Sequence, residues 1–525
     1  MGPFEPSASE RKGASLGARL RWPFDRFADL EFTSPLAFTV LAVVYVASRI
    51  PWLDQGYGSD PDAWRVALST HHLWSEAEYL PSRLPGFPLH ELVTAAAWEQ
   101  GWVWTNLSTV LISLAGVYLF ARVAREMELP NRGILTLGFA FAPFLWINSV
   151  MTIDYMWALT FLLAAYLALL RRSPTLAGVC LGIAAGFRLT SLAMLLPFWL
   201  LLARTGRRGE IFSLTRMSAA VVLFAYLPVL MEYGFTLLNF YDESVSWEVV
   251  VRQVGRDGLG VIGSLAVLAA LTLSIWRLRR FPADLLRDPQ VLTWTTVVLV
   301  FAALYARLPH EVAYLIPIFP FGFFLLSRYV GRWLLLPALV VVVLAGFVDL
   351  HSSDDTLDIG TNTVTSARLG EGMLSTDFDT RQDQLDYARE LREITTGEKL
   401  ELPALVVVGS IYPELAVLFQ DELEIVVLDE DDWEAISPLT DPGQACDSSC
   451  DVLGSVQYVS LVDNDRLGLL IREGKFVYFT ADAARRTLAL FGYRIEETFG
   501  LKPPVELEFG RTTPPLGEGA APIAR

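Results

Sequence analysis

Residues 174–203 read PTLAGVCLGIAAGFRLTSLAMLLPFWLLLA, and Arg188 is the only charged residue in this stretch. One unbroken helix of this length would measure about 45 Å, whereas the hydrocarbon core of a bilayer is about 30 Å thick. We therefore predict two short apolar helices, near 174–187 and 189–203, joined by a tight turn at Arg188. A re-entrant pair or a locally thinned bilayer fits the same pattern.

The rest of the chain carries the same membrane signature. Of its 525 residues 53% are hydrophobic, and the mean hydropathy of +0.40 is higher than that of ordinary soluble proteins. We predict a polytopic α-helical membrane protein with about 11 transmembrane helices within residues 34–350, preceded by a basic cytoplasmic segment, residues 1–33. The predicted spans lie near 34–50, 103–121, 133–149, 155–170, 174–187, 189–203, 213–231, 259–276, 291–306, 312–327 and 333–349.

The arginines orient these spans. With the N-terminus in the cytoplasm, twenty Lys and Arg side chains fall on the inner side and seven on the outer side. An odd number of spans then places the C-terminal region outside the cell. We predict a multi-pass plasma-membrane protein with a cytoplasmic N-terminus and an extracytoplasmic C-terminal domain.

The C-terminal region differs in charge from the rest of the chain. Residues 1–350 carry 27 Lys and Arg against 25 Asp and Glu, whereas residues 351–525 carry 14 against 33. This acidity argues against a nucleic-acid partner. Alternating helical and apolar β patterns predict an α/β domain with a mostly parallel sheet over residues 351–505, followed by a flexible Pro/Gly-rich tail, 506–525. Cys446 and Cys450 in this domain form a local disulfide or have no special role.

The first outer loop, residues 51–102, is long and contains amphipathic pieces such as DAWRVALSTHHLW and LHELVTAAAW. We predict helices that lie in the membrane interface, with Trp64, Trp74 and Trp98 near the headgroups. The stretch GYGSDPDAWR (56–65), at the start of this loop, places Asp60 and Asp62 on the outer side.

Unusual polar residues gather at the outer ends of the predicted spans. Five stretches contribute them: SDPD and SRLPGFPLHEL in the first outer loop, MTIDYMW between spans three and four, GFRLTS at the short turn, and RLPHEVAYL between spans nine and ten. The side chains that we select from these stretches are Asp60, Asp62, Arg83, Asp154, Arg188, Arg307, His310 and Tyr314.

These residue types suit sugar transfer from a lipid phosphate. A sugar on a polyprenyl phosphate presents a membrane-anchored phosphate leaving group, and Arg or His assists its departure through charge-assisted hydrogen bonds. The acceptor hydroxyl must lose a proton as it attacks the anomeric carbon, and a carboxylate at the interface is a suitable base. The pattern therefore favours glycosyl transfer without a soluble nucleotide sugar.

The stretches D-P-D, R-L-P-G-F-P, G-F-R-L-T-S and R-L-P-H-E-x-x-Y-L-I-P-x-x-P resemble the GT-C superfamily of polyprenyl-phosphate-sugar glycosyltransferases. That superfamily includes the protein O-mannosyltransferases and the lipid A aminoarabinose transferase. The resemblance covers about residues 30–350. It implies an inverting transfer, a carboxylate in the first outer loop as base or metal-contacting group, and a basic residue for the lipid phosphate.

Carried onto this sequence, the resemblance assigns the catalytic carboxylate to Asp60 or Asp62. O-mannosyltransferases have adjacent Asp and Glu in this loop, so it stays open which aspartate acts and whether the pair holds a divalent cation, Mg or Mn. No other metal site is predicted. The donor-binding candidates are Arg83, Asp154, Arg188, Arg307, His310 and Tyr314, and the acceptor is a glycan, a lipid or a protein.

Each candidate also has a purely structural interpretation. Asp60, Asp62 and Asp154 could cap helices, and Arg188 could extend to the headgroups. The alternative function is a transporter or flippase for a lipid-linked anionic glycan. That class favours internal repeats and polar residues at mid-membrane, whereas here the charged residues lie at span ends.

Overall fold

The computed structural model of the protein describes residues 28–75, 79–83, 85–234, 253–308, 312–359, 362–396, 404–408, 411–419, 425–428, 456–459, 476–479, 494–500 and 508–513. Most of this part is helical. The helices are α1 Pro35–Ala47, α2 Ile50–Leu53, α3 Pro61–Ser75, α4 Pro88–Ala95, α5 Trp102–Glu126, α6 Arg132–Phe141, α7 Pro143–Asn148, α8 Tyr155–Leu170, α9 Pro174–Phe187, α10 Leu195–Arg204, α11 Gly209–Ala225, α12 Leu227–Tyr233, α13 Val261–Leu273, α14 Ile275–Leu278, α15 Phe281–Arg287, α16 Pro289–Arg307, α17 Ile318–Tyr329, α18 Arg332–Ala345, α19 Met373–Thr396 and α20 Tyr412–Phe419.

Each of the eleven predicted spans falls on one or two of these helices. By length and composition, α5 and α16 could each cross a membrane, and the pair Val261–Leu273 and Ile275–Arg287, bent by 66°, would make a third span. Among the described residues, seven further apolar helices are 10–17 residues long. Large apolar side chains of the apolar helices face outward, such as Val43 on α1, Phe224 on α11 and Leu268 on α13, as expected of surfaces that contact lipid. The number of spans stays a prediction.

The chain divides into two compact units. The first unit comprises residues 1–57 and 77–378, and the second comprises residues 58–76 and 379–525. Helix α3, from the first predicted outer loop, thus belongs to the same unit as the acidic C-terminal region. The predicted boundaries at 350 and 505 remain predictions.

Aromatic rings fill the core of the first unit. Phe120 on α5 stacks on Phe139 of α6, with ring centroids 4.3 Å apart, and on Phe324 of α17 at 5.1 Å. Tyr166 on α8 stacks on Phe198 of α10 at 6.1 Å. These helices are far apart in sequence, so stacking of their rings defines how the apolar helices pack.

A row of glycines lets α9 and α11 approach closely. Gly178 and Gly182 follow at helical spacing on α9, and a methyl group on Gly182 would lie 2.5 Å from the Cβ atom of Val221 on α11. On Gly178 it would lie 2.5 Å from the carbonyl oxygen of Leu214. Small residues at this spacing allow helix backbones to pack against each other without a side chain between them.

A carboxylate from the end of the apolar bundle caps α13. Both oxygens of Asp349 accept hydrogen bonds, from the backbone amides of Val261 at 2.7 Å and Ile262 at 2.9 Å. Negative charge at a helix N-terminus is stabilising. The contact fixes the start of strand β1 (Val348–Ile359), which pairs antiparallel with β2 (Asn362–Glu371).

The second unit contains a six-stranded sheet. Its strands are β3 Ala404–Val407, β4 Ile425–Leu428, β5 Val456–Val459, β6 Phe476–Phe479, β7 Arg494–Gly500 and β8 Glu508–Thr513. Their order is β4-β5-β3-β6-β8-β7, in which β4, β5, β3 and β6 are parallel and the last two pairings are antiparallel. Cys446 and Cys450 lie outside the described residues.

The apolar side of α3 is buried within the second unit, where this helix packs against α20. Ala63 and Val66 are fully buried, and the buried Trp64 indole donates a hydrogen bond to the carbonyl oxygen of Gly58 at 2.9 Å. The prediction that Trp64 lies at headgroup level is therefore wrong. Amphipathic spacing shows that a helix has an apolar face, but that face can be covered by protein as well as by lipid.

Replacement of Gly182 by Ala should destabilise the bundle. The added methyl group meets Val221 and the backbone oxygen of Ser218 at 3.0 Å, so the two helices must move apart. We expect a loss of about 1–3 kcal/mol, seen as a lower midpoint of thermal unfolding in detergent. Gly209→Ala is the matched control, because no atom lies within 4 Å of the added group there. Equal midpoints for the two variants would contradict close packing of α9 on α11.

Candidate functional site

Asp154 is the centre of the site in the first unit. It directly precedes α8, where its carbonyl oxygen accepts the first helical hydrogen bond from Ala158 at 3.0 Å. Its side chain is fully buried. A buried carboxylate needs a cationic partner, because removing an unpaired charge from water is very unfavourable.

Arg188 supplies that partner. It lies between α9 and a 3-10 helix, Leu189–Met194, with extended backbone angles that end α9. Its Nη1 atom donates to Oδ2 of Asp154 at 2.7 Å. The guanidinium carbon lies 3.9 Å from the ring centroid of Tyr155 and 4.6 Å from that of Tyr314. Aromatic faces stabilise a cation by their quadrupole, so Arg188 is held on several sides.

The Nε atom of Arg188 is buried and has no hydrogen-bond partner among the described residues. Buried donors in native proteins are almost always paired, so this donor is expected to bond to an oxygen of a water or a ligand. A small pocket lies beside it. Its lining includes Tyr155, Ala158, Ser191, Phe301, Tyr314 and Pro317.

Arg83 is a second cation on the same carboxylate. Its Nη2 atom lies 3.6 Å from Oδ1 of Asp154, and its guanidinium carbon lies 4.2 Å from the ring centroid of Phe87. The guanidinium carbon of Arg188 lies 5.5 Å from the same ring. Two arginines thus converge on one carboxylate and one aromatic ring, an arrangement that suits an oxyanion.

The loop that carries Arg83 is tightly bonded. The amide of Gly86 donates to the carbonyl oxygen of Arg83 at 2.7 Å, and its φ of +88° favours glycine. The hydroxyl of Tyr226, between α11 and α12, donates to the carbonyl oxygen of Gly86 at 3.0 Å. The Pro-Gly-Phe-Pro sequence therefore forms a defined turn that orients Arg83 (Leu84 lies outside the described residues).

His90 and Glu91, on α4, complete this region, and neither is among the residues selected from the sequence. Both are buried, and the His90 ring meets that of Trp157 edge-on at 6.1 Å. Burial lowers the pKa of His90 to about 4, an effect that Asp154 opposes and Arg83 reinforces. His90 is therefore neutral at pH 7, and its Nδ1 atom has no hydrogen-bond partner among the described residues.

A buried polar network ties the first outer loop to the segment that precedes Asp154. Nδ2 of Asn106 on α5 donates to the carbonyl oxygen of Gly56 at 2.8 Å, and Oγ1 of Thr152 donates to Oδ1 of Asn106 at 2.9 Å. The amide of Thr152 donates to the carbonyl oxygen of Tyr57 at 2.8 Å. Every member is bonded, so the network fixes this segment.

Asp60 and Asp62 lie in the second unit. Oδ1 of Asp60 accepts from the amide of Asp62 at 2.9 Å, at the start of α3, as a capping residue does. Oδ1 of Asp62 accepts from the half-exposed Arg65 at 3.0 Å. Both carboxylates therefore have structural partners. Their catalytic role stays a prediction.

The remaining candidates stand as follows. Tyr314 stacks on Arg188, whereas Arg307 is exposed at the end of α16. His310 lies outside the described residues. In the part of the chain that is described, no three His, Cys, Asp or Glu side chains are grouped as metal ligands. The divalent cation at Asp60 and Asp62 stays a prediction.

A buried cluster of two arginines and one carboxylate lies at the ends of apolar helices, and the fold that carries it is similar to known structures. Two solved structures of ArnT from Cupriavidus metallidurans are similar to this chain. The one bound to undecaprenyl phosphate shares 14% identity, with a TM-score of 0.55, over 91% of this chain and 98% of that chain. The apo form shares 15%, with a TM-score of 0.54, over 90% and 98%.

No protein-family model and no curated protein matches the sequence. At these identities the likeness shows the fold alone. The chain has a fold similar to that of ArnT, so the predicted resemblance is confirmed at the level of the fold alone.

Loss of the Asp154 carboxylate should destabilise the protein strongly. Asp154→Asn leaves two guanidinium groups without their shared counter-charge, and breaking a buried ion pair costs about 3–5 kcal/mol. The matched control is Asp386→Asn, because the Asp386–Arg389 pair is mostly exposed. Such a pair contributes less than about 1 kcal/mol. Thermal unfolding in detergent compares the two, and similar midpoints would contradict the role of Asp154.

Stability should fall with acidification through His90. Its folded-state pKa of about 4 lies below its ordinary value of 6.5, so the unfolded state binds more protons between these pH values. The contribution of neutral His90 is complete above pH 6.5 and is lost as the pH falls towards 4. We expect His90→Gln to flatten this dependence by up to about 1.4 kcal/mol per pH unit, measured by denaturant unfolding at several pH values. An unchanged slope would contradict this.

Proposed function

We propose that the protein is a membrane glycosyltransferase that moves a monosaccharide from a polyprenyl-phosphate-linked donor to an acceptor at the extracytoplasmic face. The observation that carries the proposal is the convergence of Arg83 and Arg188 on Asp154, within a fold shared with ArnT. That protein has been solved bound to undecaprenyl phosphate.

The proposed topology has eleven membrane spans, a cytoplasmic N-terminus and an extracytoplasmic α/β domain in the plasma membrane. The excess of arginines on one side and the apolar outer surfaces of the helices support it. The candidate site then opens to the outer leaflet, where a lipid-linked sugar is anchored.

In the proposed donor complex, the Arg188 Nε and Arg83 bind the lipid phosphate. Their guanidinium groups strengthen this contact because the surrounding aromatic rings and Asp154 fix them before the ligand arrives. Tyr314 keeps Arg188 in place from the other side, and Arg307 and His310 are candidates for further donor contacts.

The proposed reaction is a single inverting displacement. An acceptor hydroxyl oxygen attacks the anomeric carbon of the sugar, while the bond from that carbon to the phosphate oxygen breaks. The electron pair leaves with the polyprenyl phosphate, whose charge the arginines stabilise. The hydroxyl proton passes to Asp60 or Asp62, and a divalent cation at this pair is compatible with the same step. The acceptor class is a glycan, a lipid or a protein.

Two isosteric variants test the base. Asn is a good helix-capping residue, so Asp60→Asn keeps the hydrogen bond that starts α3 but removes the base, and Asp62→Asn tests the other carboxylate. The assay supplies polyprenyl-phosphate sugars and host membrane extract to protein in nanodiscs, and measures release of free polyprenyl phosphate. We expect one variant to lose roughly 10²–10⁴-fold in rate, the usual contribution of general-base catalysis.

The control is Asp386→Asn, an exposed aspartate of the same unit, which should retain wild-type activity. Full activity in both Asp60→Asn and Asp62→Asn would remove the pair from the mechanism. If the wild type in sealed proteoliposomes moves the intact donor across the bilayer and releases no polyprenyl phosphate, the protein is a flippase and the proposal of a transferase fails.

A further inference from the structure

Glu91 is a buried carboxylate that binds the Arg83 loop from both ends. Oε1 accepts hydrogen bonds from the amide of Ser82 at 2.8 Å and from the hydroxyl of Ser82 at 2.6 Å. Oε2 accepts from the amide of Phe87 at 3.3 Å and from the hydroxyl of Tyr79 at 2.5 Å. Ser82 precedes Arg83 directly and Phe87 follows it by four residues, so one side chain closes the loop around Arg83.

The geometry requires an acceptor at both oxygens of Glu91. Each oxygen faces one backbone N–H group, and such a group can only donate. A glutamine amide at this position would point its own N–H₂ group at one of these donors, in either orientation. The substitution Glu91→Gln keeps the size of the side chain and breaks the loop closure at one end.

Phe87 connects this closure to the cations. Its amide is bound to Glu91, and its ring lies against the guanidinium groups of Arg83 and Arg188, at 4.2 and 5.5 Å. A shift of this backbone would move the surface on which Arg83 rests. The Gly86 turn and its bond to Tyr226 hold the middle of the loop, and the amides of His90 and Glu91 bind the carbonyl oxygen of Phe87 at the start of α4. The Glu91 side chain adds the link between Phe87 and Ser82.

We infer that Glu91 is a positioning residue for the donor phosphate, which it serves by fixing the loop on both sides of Arg83. This inference rests on the proposed function. Glu91 itself does not contact the substrate. Its whole effect on lipid-phosphate binding acts through Arg83.

A double-mutant cycle tests this assignment. Full-length wild type, Glu91→Gln, Arg83→Gln and the double variant are placed in nanodiscs, and equilibrium binding of undecaprenyl phosphate is measured. We expect each single variant to bind about tenfold more weakly, the scale of one hydrogen bond to a charged group. The double variant should bind no more weakly than Arg83→Gln alone. The control is Glu99→Gln, an exposed glutamate of the same predicted loop, which should bind like the wild type.

A milder variant covers the case in which Glu91→Gln does not fold. Ser82→Ala removes only one of the two Ser82 donors and keeps the backbone bond. We expect Ser82→Ala alone to weaken binding about threefold, and to have no further effect when it is combined with Arg83→Gln.

Three outcomes would overturn the inference. One is a double variant about a hundredfold weaker than the wild type, which makes the two effects independent. Another is unchanged binding by folded Glu91→Gln. In the third, the folded wild type and every variant fail to bind undecaprenyl phosphate, which overturns the proposed donor site itself and so differs from a failure of Glu91 alone.

Discussion

The buried charge of Asp154 is the constraint on which the site depends. Without this carboxylate, burial of two guanidinium groups would be strongly unfavourable. Each guanidinium group reaches Asp154 from a different segment of the chain. The ion pairs therefore bring together the Arg83 loop, the start of α8 and the end of α9. Buried ion pairs are weak evidence for stability, because apolar residues could fill the same space. In the proposed donor complex they hold two cations for the lipid phosphate.

Preorganisation explains why the cations are so heavily surrounded. Arginine side chains are flexible, and the loss of conformational entropy when a ligand orders them would lower the affinity. Tyr155, Tyr314 and Phe87 restrict them beforehand, and the low polarity of these rings would strengthen their field on the phosphate of the proposed donor. Screening by salt is weak in such a place, which distinguishes this site from arginines on an open surface.

Sequence patterns predict much of this arrangement but not all of it. Apolar runs predict where the helices lie, and charges at their ends identify Arg83, Asp154 and Arg188, because such charges are unfavourable without a function or a partner. Which of these side chains contact each other depends on the tertiary structure and cannot be predicted from their spacing in the sequence.

Glu91 is not selected from the sequence, because it resembles a residue on the polar side of an interfacial helix. Only the converging amides of Ser82 and Phe87 reveal its role. An acid close behind a Pro-Gly turn is the signal that could have found it. The prediction for Trp64 is wrong for a related reason, since the sequence does not show whether protein or lipid covers an apolar face.

The membership of α3 in the second unit has an evolutionary consequence. Its apolar side is covered by α20 of the C-terminal region, and the side-chain amide of Gln384 donates to the carbonyl oxygen of Ser59 at 3.0 Å. Burial raises the pKa of Glu414 on α20 to about 8, an effect that a backbone hydrogen bond and Arg65 on α3 oppose. The helix that begins at Asp60 and Asp62 therefore cannot change its inner face without compensating changes more than 300 residues later in the chain. In related sequences these two segments should be inherited and exchanged together, and a chimera that replaces the tail alone would inherit a mismatched first loop.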